Sequence, residues 1–323
     1  MIGRNAMRRL ELANTGRSTT QLGFGCAYLQ PENRSLIDAA FAAGIRHFDV
    51  ARSYGNGLSE VCLGKMLKGR TSEVTITSKF GLRPRYRSAL YPLLRAVVRR
   101  VRPTRRTQGP LGPSAPRASA PRRNKADFMP AEARKSLEET RRKLGLDRVD
   151  ILLLHEATAD DLVAPALHDF LETCVATGRI GTYGIGGESC NLPELVGRRR
   201  AYCRVLQYDW TPAEPAVKHA NAFQILFRCH SRDTWAIQSA LEAEPARLRQ
   251  WSETVGLDLA EPRRLASLLL KAALDVRPDD VILFSSASAG SIEENVRIAN
   301  DASLSPPALR LVELLRREGA AAL

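Results

Sequence analysis

Four residues able to move a proton and polarise an oxygen fall at the ends of three apolar runs. Ile45 to Val50 contains Asp49, and five residues later Tyr54 sits in a turn between Ser53 and Gly55, with Gly57 beyond. VTITSKFG places Lys79 at the end of a second run, and VDILLLHE places His155 at the end of a third. A carboxylate, a phenol, an ammonium and an imidazole presented this way can do general acid-base chemistry. Each has a structural alternative: a strand-end cap for Asp49, a half-buried aromatic for Tyr54, a solvated charge for Lys79, a satisfied core imidazole for His155. The repetition of one arrangement on successive strand ends argues for the chemical reading.

The elements that position these residues alternate along the chain. Leu10 to Thr20, with its turn-rich ANTG, reads as a hairpin ahead of a first strand at Gln21 to Cys26. Helix Leu36 to Ala43, strand Ile45 to Asp49, helix Glu60 to Leu67 and strand Val74 to Lys79 follow. Helix Glu132 to Leu144, strand Val149 to Leu154, helix Leu162 to Ala176, strand Ile180 to Ile185, helix Leu192 to Arg199 and strand Val205 to Tyr208 continue the pattern. Phe223 to Phe227 and Val281 to Phe284 are the last strands, separated by a helical excursion over Trp235 to Trp251 and Arg263 to Leu274, and Pro307 to Arg317 is a final helix. Strands alternating with helices call for a parallel sheet, and eight of them favour a closed (β/α)8 TIM barrel over an open doubly wound sheet. No GxGxxG dinucleotide fingerprint follows any strand. In such barrels the active site lies at the C-terminal ends of the strands, where Asp49, Lys79 and His155 fall and where the loop with Tyr54 begins.

Asp, Tyr, Lys and His in this order resemble the catalytic tetrad of the aldo-keto reductase superfamily. The most specific stretches are DVARSYGNG, SKFG and SLEETRRKLGLDRVDILLLH, and the likeness runs from LGFGC at Leu22 to Cys26, through SIEEN at Ser291 to Asn295, to the last helix. It implies NAD(P)H-dependent reduction of an aldehyde or ketone. A phenol, with a reference pKa of about 10, is a poor proton source near neutrality, and a neighbouring ammonium favours the phenolate left after transfer. Tyr54 would be the proton donor, Lys79 the charge beside it, Asp49 the anchor for Lys79, and His155 a hydrogen-bond donor to the carbonyl oxygen.

The same resemblance implies a nicotinamide cofactor, NADP by family default with NAD as the other possibility. Gly25 and Cys26, in LGFGC, are by the same resemblance candidate cofactor contacts. Gln207 is similar to the glutamine that contacts the nicotinamide amide, while Gly186 and Gly187 stand where the family has Ser-Asn and so lack those side-chain contacts. Arg228 falls at the position of the aromatic that stacks on the nicotinamide, a task its guanidinium plane can share. Ser285, Ser286 and Ser288, ahead of a helix N-terminus, are candidate phosphate contacts, and Glu294 and Asn295 candidate adenine contacts. No basic residue between Phe284 and Asn295 is available to grip a 2′-phosphate. A non-catalytic barrel serving as a regulatory or scaffold subunit is the alternative, as potassium-channel β subunits show for this fold.

Composition sets the outer limits. The 323 residues, 44% hydrophobic, suffice for a single barrel domain with a large core. No apolar run approaches the roughly 20 residues of a membrane span, and MIGRNAMRRLEL lacks the features of a secretory signal. Six Cys without a CxxC pair read as reduced thiols, which together with the absent signal predicts a cytoplasmic protein. His47, His168, His219 and His230 fall in no ligand spacing, so no metal site is expected.

The net charge of +13 is local: Arg83 to Lys125 holds thirteen Arg and Lys and no Asp or Glu, as many charges as the whole excess. Residues 83–126 therefore form a basic insert after the third barrel strand. Its first part, Arg85 to Val101, has an apolar stripe at helical spacing, and Pro103 to Arg123 has the composition of a disordered linker. With Tyr86 and Tyr91 the only aromatics before Phe128, base stacking is poorly supplied and no specific nucleic-acid partner is expected. The expected partner is a small carbonyl substrate. An electrostatic lid recruiting anionic substrates, a peripheral contact with an anionic surface, and a solvated loop all remain open for the insert.

Overall fold

The computed structural model describes residues 7–27, 29–84, 126–215, 217, 221–231, 234–261 and 263–318. The amphipathic and linker stretches expected between Arg85 and Lys125 lie outside these residues, as does His219.

A hairpin of β1 (Arg9–Glu11) and β2 (Ser18–Thr20) comes first, pairing Arg9 with Thr20, and its turn carries Ala13 and Asn14 at positive φ. The barrel is built from β3 (Leu22–Gly25), β4 (His47–Asp49), β5 (Thr75–Phe80), β6 (Val149–His155), β7 (Ile180–Gly187), β8 (Val205–Asp209), β9 (Phe223–Phe227) and β10 (Val281–Phe284). It closes by parallel pairing of β10 with β3, in the ring order β10, β3, β4, β5, β6, β7, β8, β9. This is the expected (β/α)8 architecture, and its strands are apolar runs because both faces are buried.

Inward side chains split the barrel into a floor and a mouth. Leu10 and Leu12 of the hairpin pack with Ile151, Leu153, Val205, Ile225, Val281 and Leu283 and plug the N-terminal end. Above them His47 sits between Thr75 and Thr77, at 3.1 and 3.3 Å from their hydroxyls, and burial together with the Lys79 charge pushes its pKa down to about 3. Close strand approach depends on glycine at one point: a Cβ on Gly184 would lie 2.0 Å from the Val205 carbonyl oxygen.

Among the described residues the α-helices are α1 (Arg34–Ala42), α2 (Ser59–Met66), α3 (Pro130–Leu144), α4 (Pro165–Ala176), α5 (Leu192–Arg198), α6 (Thr234–Ala243), α7 (Pro245–Val255), α8 (Arg264–Val276), α9 (Ala289–Asn300) and α10 (Ser305–Glu318). Helix α3 shows why its sequence is helical: proline opens it, Glu132 lies in the first turn and Arg141, Arg142 and Lys143 in the last, and Gly145 at φ 67° closes it. The helical excursion expected over Trp235 to Trp251 is made of two helices, because Pro245 has no N–H for the helix and drives Glu244 to φ −124°, ψ 79°. Helices α6, α7, α8 and α10 share a second core around Trp251, Leu268 and Leu311. Among the described residues no helix is long and apolar enough to cross a membrane.

The two ends flanking the insert meet. The Asp127 N–H donates to the Gly81 carbonyl at 3.1 Å, and Phe80 and Phe128 stack edge to face at 5.8 Å.

Candidate active site

Strand ends deliver the tetrad to one place. Asp49 and His155 are the last residues of β4 and β6, and Lys79 is the penultimate residue of β5. The Lys79 ammonium donates to both Asp49 carboxylate oxygens, at 2.6 and 2.7 Å, with the Val50 carbonyl at 3.4 Å. Both side chains are almost wholly buried. Burial alone would lower the Lys79 pKa, but the Asp49 charge and then Tyr54 outweigh it and hold the ammonium above its ordinary value.

Tyr54 opens a 3₁₀ turn, Tyr54–Gly57, in which Gly55 and Gly57 take positive φ. Its N–H donates to the Ala51 carbonyl at 3.1 Å, and its ring lies 4.7 Å from the Lys79 nitrogen and 5.8 Å, edge to face, from His155. Burial raises the phenol pKa most, and the Lys79 charge is the chief effect that pulls it back. The imidazole of His155 is pushed down to about 3, by burial first and by Lys79 second. It is neutral at ordinary pH, the form that both donates and accepts one hydrogen bond. Ser53 places its hydroxyl 3.5 Å from His155 Nδ1.

Gln207 joins this cluster from the far side of the barrel. Strand β8 stands four places from β4 in the ring, yet Gln207 Nε2 donates to Asp49 Oδ2 at 2.7 Å. Asp49 thus accepts from Lys79 and Gln207 together, and the amide expected to face a nicotinamide is spent in part on holding the carboxylate.

The other expected cofactor residues fall on β3, β7, the end of β9 and the start and body of α9. Ser285 donates to the Gly25 carbonyl at 2.9 Å, and a Cβ on Gly25 would fall 2.6 Å from that hydroxyl. The Cys26 thiol is buried and pushed far up by that burial, so it is inert. A Cβ on Gly186 would lie 3.2 Å from Gln207 Oε1 and 3.3 Å from Leu153, whereas one on Gly187 meets only the Glu156 Cα at 3.7 Å. Exposed Arg228 leaves β9 at φ 61°. At α9, Ser288 is the N-cap, Ser286 holds the Ser288 N–H at 3.1 Å, and Ser285 is exposed beside them. Glu294, two turns on, is engaged bidentately by Arg297 at 3.0 and 2.5 Å, and Asn295 is half-buried next to it. Hydroxyls and backbone donors at a helix start suit a phosphate, and at β7 any side chain on Gly186 would press on Gln207 and Leu153. The serines and backbone donors at the start of α9 would suit the phosphates of a nicotinamide dinucleotide.

Two features of the site escape a reading of the sequence. One is the bond from Gln207 to Asp49. The other is Arg52, which is buried although it sits in the loop that carries Tyr54, and which pairs with Glu132 at 3.0 Å and Glu139 at 2.5 Å on α3. The sole signal for it was a charged residue in an otherwise uncharged, glycine-rich turn. Among the described residues no group of three or more His, Cys, Asp or Glu is placed to hold a metal ion.

Comparisons with known proteins show the family. The chain is 32% identical over 187 residues to D-threo-aldose 1-dehydrogenase of a Pseudomonas species, covering 54% of this chain and 52% of that protein. It is 29% identical to pyridoxal 4-dehydrogenase of Microbacterium luteolum, covering 47% and 44%, so it spans about half the length of these two relatives. L-galactose dehydrogenase of Arabidopsis thaliana matches over 88% of this chain and 86% of its own, at 24% identity. Among solved structures, an aldo-keto reductase from Bacillus halodurans in its holo form superposes with a TM-score of 0.63 at 19% identity, covering 94% of this chain and 96% of that one. An aldo/keto reductase from Brucella melitensis gives 0.59 at 17% identity, covering 97% and 100%. The sequence pattern of the Aldo/keto reductase family matches residues 20–219, a span that holds all four tetrad residues and Gln207, and the chain belongs to that family.

Proposed function

We propose that the protein is a nicotinamide-dependent oxidoreductase that reduces a small aldehyde or ketone to an alcohol, with Tyr54 as proton donor. The observation that carries this reading is the buried Lys79 ammonium, held by Asp49 and set 4.7 Å from the Tyr54 ring. A bound reduced nicotinamide supplies the hydride. Tyr54 gives its hydroxyl proton to the oxygen of the former carbonyl, and the electron pair left on the phenolate is stabilised by Lys79. Neutral His155 donates an N–H to the same oxygen and draws charge onto it before the proton arrives. Asp49, bonded also to Gln207, keeps Lys79 from turning away.

Run in reverse, the phenolate accepts a hydroxyl proton. Two relatives above are named as sugar dehydrogenases, and oxidation of a hydroxyl is proposed here as the same chemistry read backwards. NADP is the dinucleotide of this reading and NAD the alternative, since Arg297, the basic residue of α9, is already bound by Glu294. A small anionic carbonyl compound is the proposed substrate, on the strength of the thirteen charges between Arg83 and Lys125 at the third strand end. Gly186 and Gly187 favour a second reading, a non-catalytic nicotinamide-binding subunit.

Turnover by the native chain, and its loss in Tyr54→Phe, separate the two. Loss of at least about 100-fold in turnover of 4-nitrobenzaldehyde, with NADPH and NADH affinity by fluorescence unchanged, is the expected outcome. Wild-type turnover in this variant overturns the assignment.

A further inference from the structure

The loop that presents Tyr54 is fastened from outside the barrel by a chain of charges that the reaction itself does not use. Arg52, two residues before Tyr54, turns away from the mouth and is buried against α3, where it meets Glu132 at 3.0 Å, Glu139 at 2.5 Å and the Ser136 hydroxyl. Glu132 does not serve Arg52 alone. Its second oxygen accepts from Arg83 at 2.9 Å, and Arg83 also bonds Asp127 at 2.8 Å. Arg83 and Asp127 stand at the two ends of the basic insert, and those ends are joined again by the Asp127 N–H to Gly81 bond. One carboxylate, 11% exposed, thus bridges the catalytic loop and the base of the insert.

We propose that Glu132 is a positioning residue: by holding Arg52 and Arg83 at once it fixes the turn that aims Tyr54, and it couples that turn to both ends of the insert. The inference rests on the catalytic reading given above. The turn is short, with Tyr54 N–H bonded to Ala51 carbonyl at 3.1 Å, so a shift at Arg52 is passed to Tyr54 with little slack. Reacting groups tolerate little of this, a displacement near 1 Å costing on the order of 100-fold in rate.

A purely structural role for Glu132, as a staple between α3 and the barrel, has a built-in control. Two turns further along the same helix, Thr140 donates to buried Glu60 at 2.7 Å, and Glu60 holds Ser78 at 2.9 Å. Breaking that contact weakens the packing of α3 without touching Arg52.

The test uses the full chain with 4-nitrobenzaldehyde and NADPH or its 4-deuterated form. Glu132→Ala should lower kcat about tenfold or more, with an enlarged deuterium isotope effect on kcat and unchanged NADPH affinity, while Glu132→Gln, which keeps an acceptor, recovers part of the loss. Arg83→Ala, at the less buried end, should lower kcat by a smaller factor and serves if Glu132→Ala does not fold. Thr140→Val should lower the melting temperature and leave kcat alone. Wild-type kcat in both Glu132→Gln and Arg83→Ala, or an equal kcat loss in Thr140→Val, overturns the proposal. An inactive Tyr54→Phe alongside either result shows that this coupling has failed and the catalytic reading has not; an active Tyr54→Phe removes the catalytic reading first.

Discussion

Replacing Asp49 by Asn keeps the shape of the site and removes one charge from its most buried ion pair. In the native chain Lys79 is 2% and Asp49 5% exposed, and the ammonium bonds both carboxylate oxygens. The variant leaves a cation in that place with a neutral partner, and removing one member of a buried pair typically costs about 3–5 kcal/mol. For 323 residues, at roughly 2.1 cal/mol/K per residue, that corresponds to a melting temperature lower by about 4 to 7 °C. The pH dependence has a definite sign. Native Lys79 is held above its ordinary value, so its contribution is present throughout the range below an unfolded lysine near pH 10.4 and is lost only as pH rises through the higher folded value. In the variant the Asp49 charge is gone and burial, which lowers the lysine pKa, prevails. Its penalty is largest at neutral pH and fades as the unfolded chain also loses the proton. Melting curves at pH 7, 8.5 and 10 should therefore show a gap that narrows as pH rises, and turnover at pH 7 should fall with it. A melting temperature within about 1 °C of the native protein at pH 7, or a gap that widens with pH, refutes the account of Lys79 as a cation held by Asp49.

Acid should destabilise the protein early, because His47, His155 and His230 are held down to about 3, 3 and 4 by burial. The unfolded chain protonates each near pH 6.5, so stability falls as pH drops below that value, by about 1.4 kcal/mol per pH unit for each histidine; a melting temperature flat from pH 7 to pH 5 contradicts this. Excision of residues 85–125 with a short Gly-Ser bridge should leave the melting transition cooperative, since Gly81 and Asp127 are already hydrogen-bonded and Phe80 packs on Phe128. The Michaelis constant should then rise for glyceraldehyde 3-phosphate far more than for glyceraldehyde, and lose its salt dependence; equal effects on both return the insert to a solvated loop.

The tetrad was legible in the sequence because each of its members is announced locally. An apolar run marks a strand, its last residue marks the C-terminal end, and in a parallel barrel those ends share one face, so Asp49, Lys79 and His155 could be brought together by counting strands. Strand cores were read well for the same reason, while their ends drifted: β5 runs over Thr75–Phe80 where Val74 to Lys79 was expected, since pairing with neighbours decides where a ladder stops. The glycines at 186 and 187 were visible as letters, but only the packing of Leu153 and Gln207 tells what a side chain there would meet. Gln207 reaches Asp49 across 158 positions of sequence, and Arg52 reaches Glu132 across 80. Periodicity carries no information about such pairs, because it reports which face of its own element a residue occupies. Which opposite strand that face looks toward is fixed by the closure and stagger of the barrel, and which helix covers the outside of a loop is fixed by packing, so the support of the catalytic turn was decided by the tertiary structure alone.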